Sequence, residues 1–159
     1  MVRRLTAKDS GVNLWPAISP DGQTVVYSNS KDGNQNVNAV LYSMAVEKGT
    51  PTALTGDMPD ALSAAPEWSP DGTQIAFQSQ ASGATTNDIY VMNADGSNKR
   101  KLITGSDNIR PHWSPDGKYL AFSSTRTGKY EVFITDVQSG AQYQVTQTTV
   151  PTICTAWGN

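Results

Sequence analysis

A hydrolytic site needs a nucleophile, a base and a group that orients the base. The chain has one histidine, His112, directly before Trp113. No Gly-x-Ser-x-Gly elbow occurs anywhere. His112 therefore reads as a packed or channel-lining residue rather than a base. Paired carboxylates could instead do acid–base or glycosidic chemistry. Asp21, Asp71 and Asp116, however, hold the same place in three copies of Ser-Pro-Asp-Gly, so they read as turn formers. Glu67 has no such turn role, but a single carboxylate is not a pair. Asp32, Asn34, Asn36 and Asn38 put oxygen side chains at alternate positions, superficially like a calcium loop. The glycine at the sixth place and the glutamate at the twelfth are missing. The stretch reads as a long polar loop, and no metal is expected. The lone thiol, Cys154, allows neither an internal disulfide nor a multi-thiolate metal site. No cofactor is expected.

The elements that must position these residues are set by a repeat. Ser-Pro-Asp-Gly falls at 19–22, 69–72 and 114–117, giving periods of 50 and 45 residues. Each copy follows a short run ending in Ile18, Trp68 or Trp113. Each is followed by an alternating run, "QTVVYSN", "TQIAFQS" or "KYLAFSS". A polar loop, a second apolar run, a glycine turn and a last run closing on "ALT", "LIT" or "QVT" complete the unit. The runs are short and rich in Val, Ile, Tyr, Phe and Thr, with Gly, Pro, Asn and Asp between them. These are strand and hairpin signals, and no capped helical window appears. In the turn, proline presets φ, aspartate bonds the downstream backbone and glycine accepts a left-handed conformation.

Four antiparallel strands in a repeat of roughly 40–50 residues is the signature of a propeller blade. Blades are expected over about 14–55, 64–104 and 109–146. The first places strands near 14–19, 23–29, 38–45 and 51–55. The second uses 64–69, 73–79, 87–93 and 99–104, and the third 109–114, 118–124, 129–135 and 141–146. Residues 3–6 and 151–157 read as a stray outer strand and a stray inner strand of incomplete blades within one partial propeller spanning 1–159. Trp157 matches Trp68 and Trp113. These two tryptophans are expected to wedge between blades.

The stretch "PEWSPDGTQIAFQS…DIYVMNADGSNKRKLIT" resembles the repeat of TolB-like β-propellers. It is also similar to the blades that precede the catalytic domain of prolyl-oligopeptidase-type enzymes. The match runs from Leu5 to Thr146, and the first repeat departs most, with Ile18 in the tryptophan position. The resemblance implies an all-β fold of which the three blades are half of a six-bladed TolB-like ring. An open wedge would leave apolar blade faces wet, which points to self-association of two copies into one ring, or to further blades in a longer polypeptide.

Loops joining the second and third strands of each blade share a face with the links between blades, and they vary while the opposite face is uniform. That variation fits a binding face, and equally simple loop drift. The candidate binding residues are Asp32, Asn34, Asn36, Thr85 and Arg126 on the loops, with Glu67, Asn108, Arg110 and His112 at the channel mouth. The resemblance implies a non-catalytic scaffold for a protein or peptide in the bacterial envelope. The alternative is an accessory propeller of a larger serine peptidase. With 12 basic and 14 acidic residues, the chain gives no electrostatic case for nucleic acid. The "NKRK" cluster at 98–101 reads as a solvated strand edge. No apolar run is long enough to cross a bilayer. "MVRRLTAKDSG" does not read as a signal peptide, so a periplasmic location would require that a leader has been removed, and a cytoplasmic one would not.

Overall fold

The computed structural model describes residues 4–7, 10–31, 38–47, 49–58, 61–153 and 156–157. Among them lie twelve strands and no helix, in three four-stranded antiparallel sheets whose strands follow chain order. The first blade is β1 (Val12–Ile18), β2 (Thr24–Ser30), β3 (Val40–Ala45) and β4 (Thr52–Ala53). The second is β5 (Leu62–Trp68), β6 (Gln74–Gln80), β7 (Asp88–Asn93) and β8 (Arg100–Ile103). The third is β9 (Asn108–Trp113), β10 (Tyr119–Ser124), β11 (Glu131–Asp136) and β12 (Gln142–Gln144). The innermost strands β1, β5 and β9 touch in series, as in a propeller built around an axis. Residues 4–6 and 151–153 carry no strand.

The three Ser-Pro-Asp-Gly turns are built identically. The glycine N–H donates to the serine carbonyl at 2.8, 2.9 and 2.9 Å, and each glycine has φ of 71–73°. The serine hydroxyl donates to the aspartate, and the serine oxygen accepts the N–H of Thr24, Gln74 or Tyr119 at 2.9 Å. Each aspartate also accepts the N–H two residues on. The serine hydroxyl, one aspartate oxygen and the glycine N–H thereby stitch the first hairpin, which explains why the motif is spelled out each time.

The outer strands are shorter than the sequence pattern predicts. At the blade edge the closing threonine leaves the ladder and uses its side chain instead. Thr55 Oγ1 accepts the N–H of Leu41, and Thr146 Oγ1 that of Val132, both at 2.9 Å. The hydroxyl satisfies the third strand of the blade while the backbone turns away toward the next blade.

Burial lies between blades. Val26, Leu41 and Leu54 of the first blade pack on Ile75, Phe77 and Met92 of the second, with Trp68 against the same cluster. Ile89 and Ile103 meet Phe122 and Phe133, while Ala76 and Val91 meet Trp113 and Leu120. The tryptophans wedge as expected. Trp68 Nε1–H donates to the Ala17 carbonyl at 3.2 Å and Trp113 Nε1–H to that of Glu67 at 3.3 Å. Trp157 repeats the contact on His112 at 2.8 Å. Five residues before each of these tryptophans, Ser63, Asn108 and Thr152 donate N–H to Ala39, Asn87 and Tyr130 at 2.8–2.9 Å. Thr152 and Trp157 therefore touch the third blade at the two points where an inner strand touches the blade before it. On the other open side, Ile18 fills the wedge position and is 61% exposed.

Candidate functional site

The inner strands are not regular. β1 slips register between Leu14 and Ala17, and β5 between Ala64 and Glu67. In β9, Ile109 pairs with Ser123 and His112 with Ala121, so two residues oppose one. At each slip stands a non-glycine residue in the left-handed region: Trp15 (φ 54°), Ala65 (φ 47°) and Arg110 (φ 54°). Each precedes a proline, Pro16, Pro66 or Pro111. Proline has no N–H to lose from the ladder, so a bulge there leaves no orphan donor. The left-handed conformation is still unfavourable for a residue with a Cβ, and more so ahead of proline. Strain repeated at one position in three blades is a feature of the inner strand.

The bulges bring these side chains to the lining of a cleft of about 390 Å³, where the sequence predicts the channel mouth, shared with Glu67 and His112. The Arg110 guanidinium lies 5.8 Å from the centroid of the Trp15 ring. Ala65, in the equivalent slot of the blade between, is small enough to let Arg110 reach across. The Arg110 N–H is fixed by Gln78 Oε1 at 2.9 Å. Glu67 is committed on both oxygens: Oε1 accepts the Trp113 N–H at 3.0 Å, and Oε2 faces His112 Nδ1. Trp15 also borders a second cleft of about 530 Å³, walled by Ser28, Gln78, Gln80 and Asn87. There the buried Asn87 Oδ1 has no hydrogen-bond partner among the described residues.

The structure therefore brings Glu67, Arg110 and His112 together and leaves Asn108, Arg126 and Thr85 elsewhere. Asn108 is fully buried. Its Nδ2 donates to the Ser106 carbonyl at 2.7 Å and, at 3.3 Å, to that of Asn87, so it ties the link between blades instead of facing the mouth. Arg126 is also spent internally. Its guanidinium lies 4.4 Å from the Phe133 centroid, donates to Ser124 Oγ at 3.0 Å, and contacts Gln142 Oε1 and Asn108 Oδ1. Burial lowers its pKa from the ordinary guanidinium value. Thr85 stands alone in an exposed loop. Asp32, Asn34 and Asn36 lie outside the described residues, as does Cys154. The basic cluster is paired off: Lys99 with Asp57 at 3.0 Å and Lys101 with Asp88 at 2.8 Å.

Trp15 was not among the sequence candidates. The signal that marks it is the proline three residues before each Ser-Pro-Asp-Gly serine, with Trp15, Ala65 and Arg110 one residue earlier.

Chemically, the mouth offers one cation, a carboxylate engaged by imidazole and backbone, an indole face and three prolines. No hydroxyl or thiol nucleophile is among the described residues lining this cleft. Among the described residues, no three His, Cys, Asp or Glu side chains are grouped to hold a metal. No described helix is long and apolar enough to cross a membrane.

Comparison with known proteins agrees with the geometry. The Tol-Pal system protein TolB of Francisella tularensis subsp. mediasiatica is 30% identical over 124 residues, 78% of this chain and 27% of that protein. The structure of a putative TolB from Agrobacterium tumefaciens superposes with a TM-score of 0.71 at 26% identity, covering 84% of this chain and 48% of that one. A puromycin hydrolase shares the fold with a TM-score of 0.77 at 17% identity, over 98% of this chain and 25% of the hydrolase. The chain thus spans about a quarter of the curated TolB that it matches. The family model described as the TolB beta propeller domain matches residues 1–155, and the chain belongs to that family.

Proposed function

We propose that this chain is a non-catalytic scaffold that binds an extended segment of a protein or peptide at the channel mouth. The observation that carries this reading is the convergence of Trp15 and Arg110, each held in a strained bulge, on a cleft without a nucleophile. Residues strained in this way stay in place only where the surrounding structure over-determines them. An indole face beside a cation suits peptide side chains and backbone alike. The TolB relationship supports a bacterial-envelope setting. Self-association through the open blade faces belongs to the same proposal, because Ile18 on one side and Tyr143, Val145 and Val150 on the other are exposed apolar side chains.

The test is selection of displayed random peptides on the wild-type chain, followed by binding to Trp15→Ala. Selected peptides should lose most of their affinity for the variant. Undiminished binding would remove the mouth as the site.

A second reading is favoured by the puromycin hydrolase match, which takes in nearly all of this chain and a quarter of the enzyme. In that reading these blades are the accessory propeller of a larger peptidase. A Gly-x-Ser-x-Gly hydrolase domain in the same coding frame would establish it.

A further inference from the structure

We propose that Arg110 is a carboxylate anchor: it takes the carboxylate of an acidic or C-terminal peptide residue, with the neighbouring apolar group laid on Trp15. This rests on the reading of the mouth as a peptide site and specifies what that site recognises.

The Arg110 guanidinium makes no hydrogen bond or ion pair among the described residues, and its one side-chain partner is the Trp15 ring at 5.8 Å. A guanidinium carries five donors, and a half-buried one normally finds acceptors. The carboxylate lining the same cleft is Glu67, and both its oxygens are taken by Trp113 N–H and His112. The cation is therefore left for something from outside.

Its placement is also maintained against backbone preference. Position 110 is left-handed, a conformation glycine would adopt without steric penalty. Arginine there is held by Gln78 and followed by Pro111, and it crosses over Ala65 to reach Trp15. The contact with the indole restricts the side chain and uses none of its five N–H donors. A planar carboxylate matches the guanidinium fork with two parallel N–H···O bonds. The walls beyond are Pro16, Pro66 and the indole face, which give apolar contact, and no second lysine or arginine lines the cleft. One fork with no second lysine or arginine, and an imidazole already engaged by Glu67, fits a monoanionic carboxylate better than a phosphate dianion.

The experiment follows the Arg Nε–H and Trp Nε1–H resonances of the labelled chain. The probes are acetyl-Pro-Leu with a free C-terminus, acetyl-Leu-Asp-amide, and the matching uncharged acetyl-Pro-Leu-amide. The expected result is that at least one carboxylate probe shifts Arg110 and Trp15 and binds about tenfold more tightly than the uncharged probe, the size expected for a charge-assisted pair. The first probe winning assigns a C-terminal carboxylate, and the second an acidic side chain. Arg110→Gln should abolish the preference, and Arg110→Lys should weaken it while keeping the charge. Competition by acetate on the wild type needs no variant. Equal binding of the uncharged probe, or stronger shifts with inorganic phosphate, would overturn the anchor. If display-selected peptides need Trp15 but not Arg110, the anchor fails and the peptide site stands. If they need neither, both fail.

Discussion

The Trp157 indole donates to the carbonyl of His112 at 2.8 Å, as Trp113 does to Glu67 and Trp68 to Ala17. One bond recurs at every blade junction, and its acceptor is always the residue just before the wedge position of the preceding blade. The wedge thus has two tasks: it fills the space between sheets, and it pins the inner strand of its neighbour.

These tasks can be separated. Trp113 is buried against Ala76, Val91 and Leu120. Trp113→Phe keeps most of the volume but removes the indole bond to the Glu67 carbonyl, which keeps its place in the ladder opposite Ala76, and should cost about 0.5–1.5 kcal/mol. Trp113→Ala should cost about 3–5 kcal/mol, because a cavity is added. Urea unfolding followed by circular dichroism measures both. A Phe variant as stable as wild type would mean that the bond contributes nothing.

The left-handed bulges predict a trade of stability against binding. Ala65→Gly removes a Cβ from a φ of 47° and should stabilise the chain by up to about 1 kcal/mol. Arg110→Gly relieves the same strain at φ 54° but removes the anchor. A thermal melt should show Ala65→Gly raised, and the peptide assay should show Arg110→Gly inactive. A lowered melting temperature for Ala65→Gly would mean that the bulge carries no strain.

How much of this was legible follows from parity and repetition. The blade order, the turns and the wedge tryptophans could be read because each is spelled two or three times. The binding residues could not be read from simple alternation. Asn108, Arg110 and His112 lie two apart and would share one face of a regular strand. The extra residue in β9 between Ile109 and His112 flips that parity, so Asn108 turns inward to the Asn87 and Ser106 carbonyls while the other two face the mouth. Arg126 differs for another reason: a loop arginine next to the phenylalanines at the edge of the core folds back over the Phe122 and Phe133 rings, which are buried. Trp15 was hidden because its left-handed backbone leaves no mark on hydrophobic periodicity.

Acid should loosen the third blade first. Glu131 is 1% exposed at the start of β11. The Thr146 hydroxyl, then the Thr148 N–H at 2.9 Å, with Lys129 adding to them, hold its pKa down from the ordinary 4.5 to about 2. A carboxyl depressed in the folded state contributes stability that is complete above its unfolded value and is lost as pH falls through its folded one. The window is therefore from about 4.5 down to about 2. Asp21, Asp71 and Asp116 are also lowered, each first by its turn serine, and add to the same acid slope. Glu131→Gln should flatten part of the slope of stability against pH in that window and leave neutral pH less affected than Glu131→Ala does. An unchanged slope would show that Glu131 is not the group being titrated.

The seat of Trp157 also decides how two copies could join. A partner adding its first blade to the third would bring β1 onto the strip that Thr152 and Trp157 now contact, with the partner's Ile18 in the place of Trp157. Isoleucine has no N–H for the His112 carbonyl, so the chain's own segment holds an advantage of one hydrogen bond and lies close at hand. Removing residues 147–159 should therefore favour pairing of copies. By light scattering, the shortened chain should move toward twice the monomer mass at concentrations where the full 17.1 kDa chain does so less. Trp157→Ala should shift the balance in the same direction and by less. A shortened chain that stays monomeric and folded would show that the outer face of the third blade does not take a second copy, and the self-association proposal would fall with it.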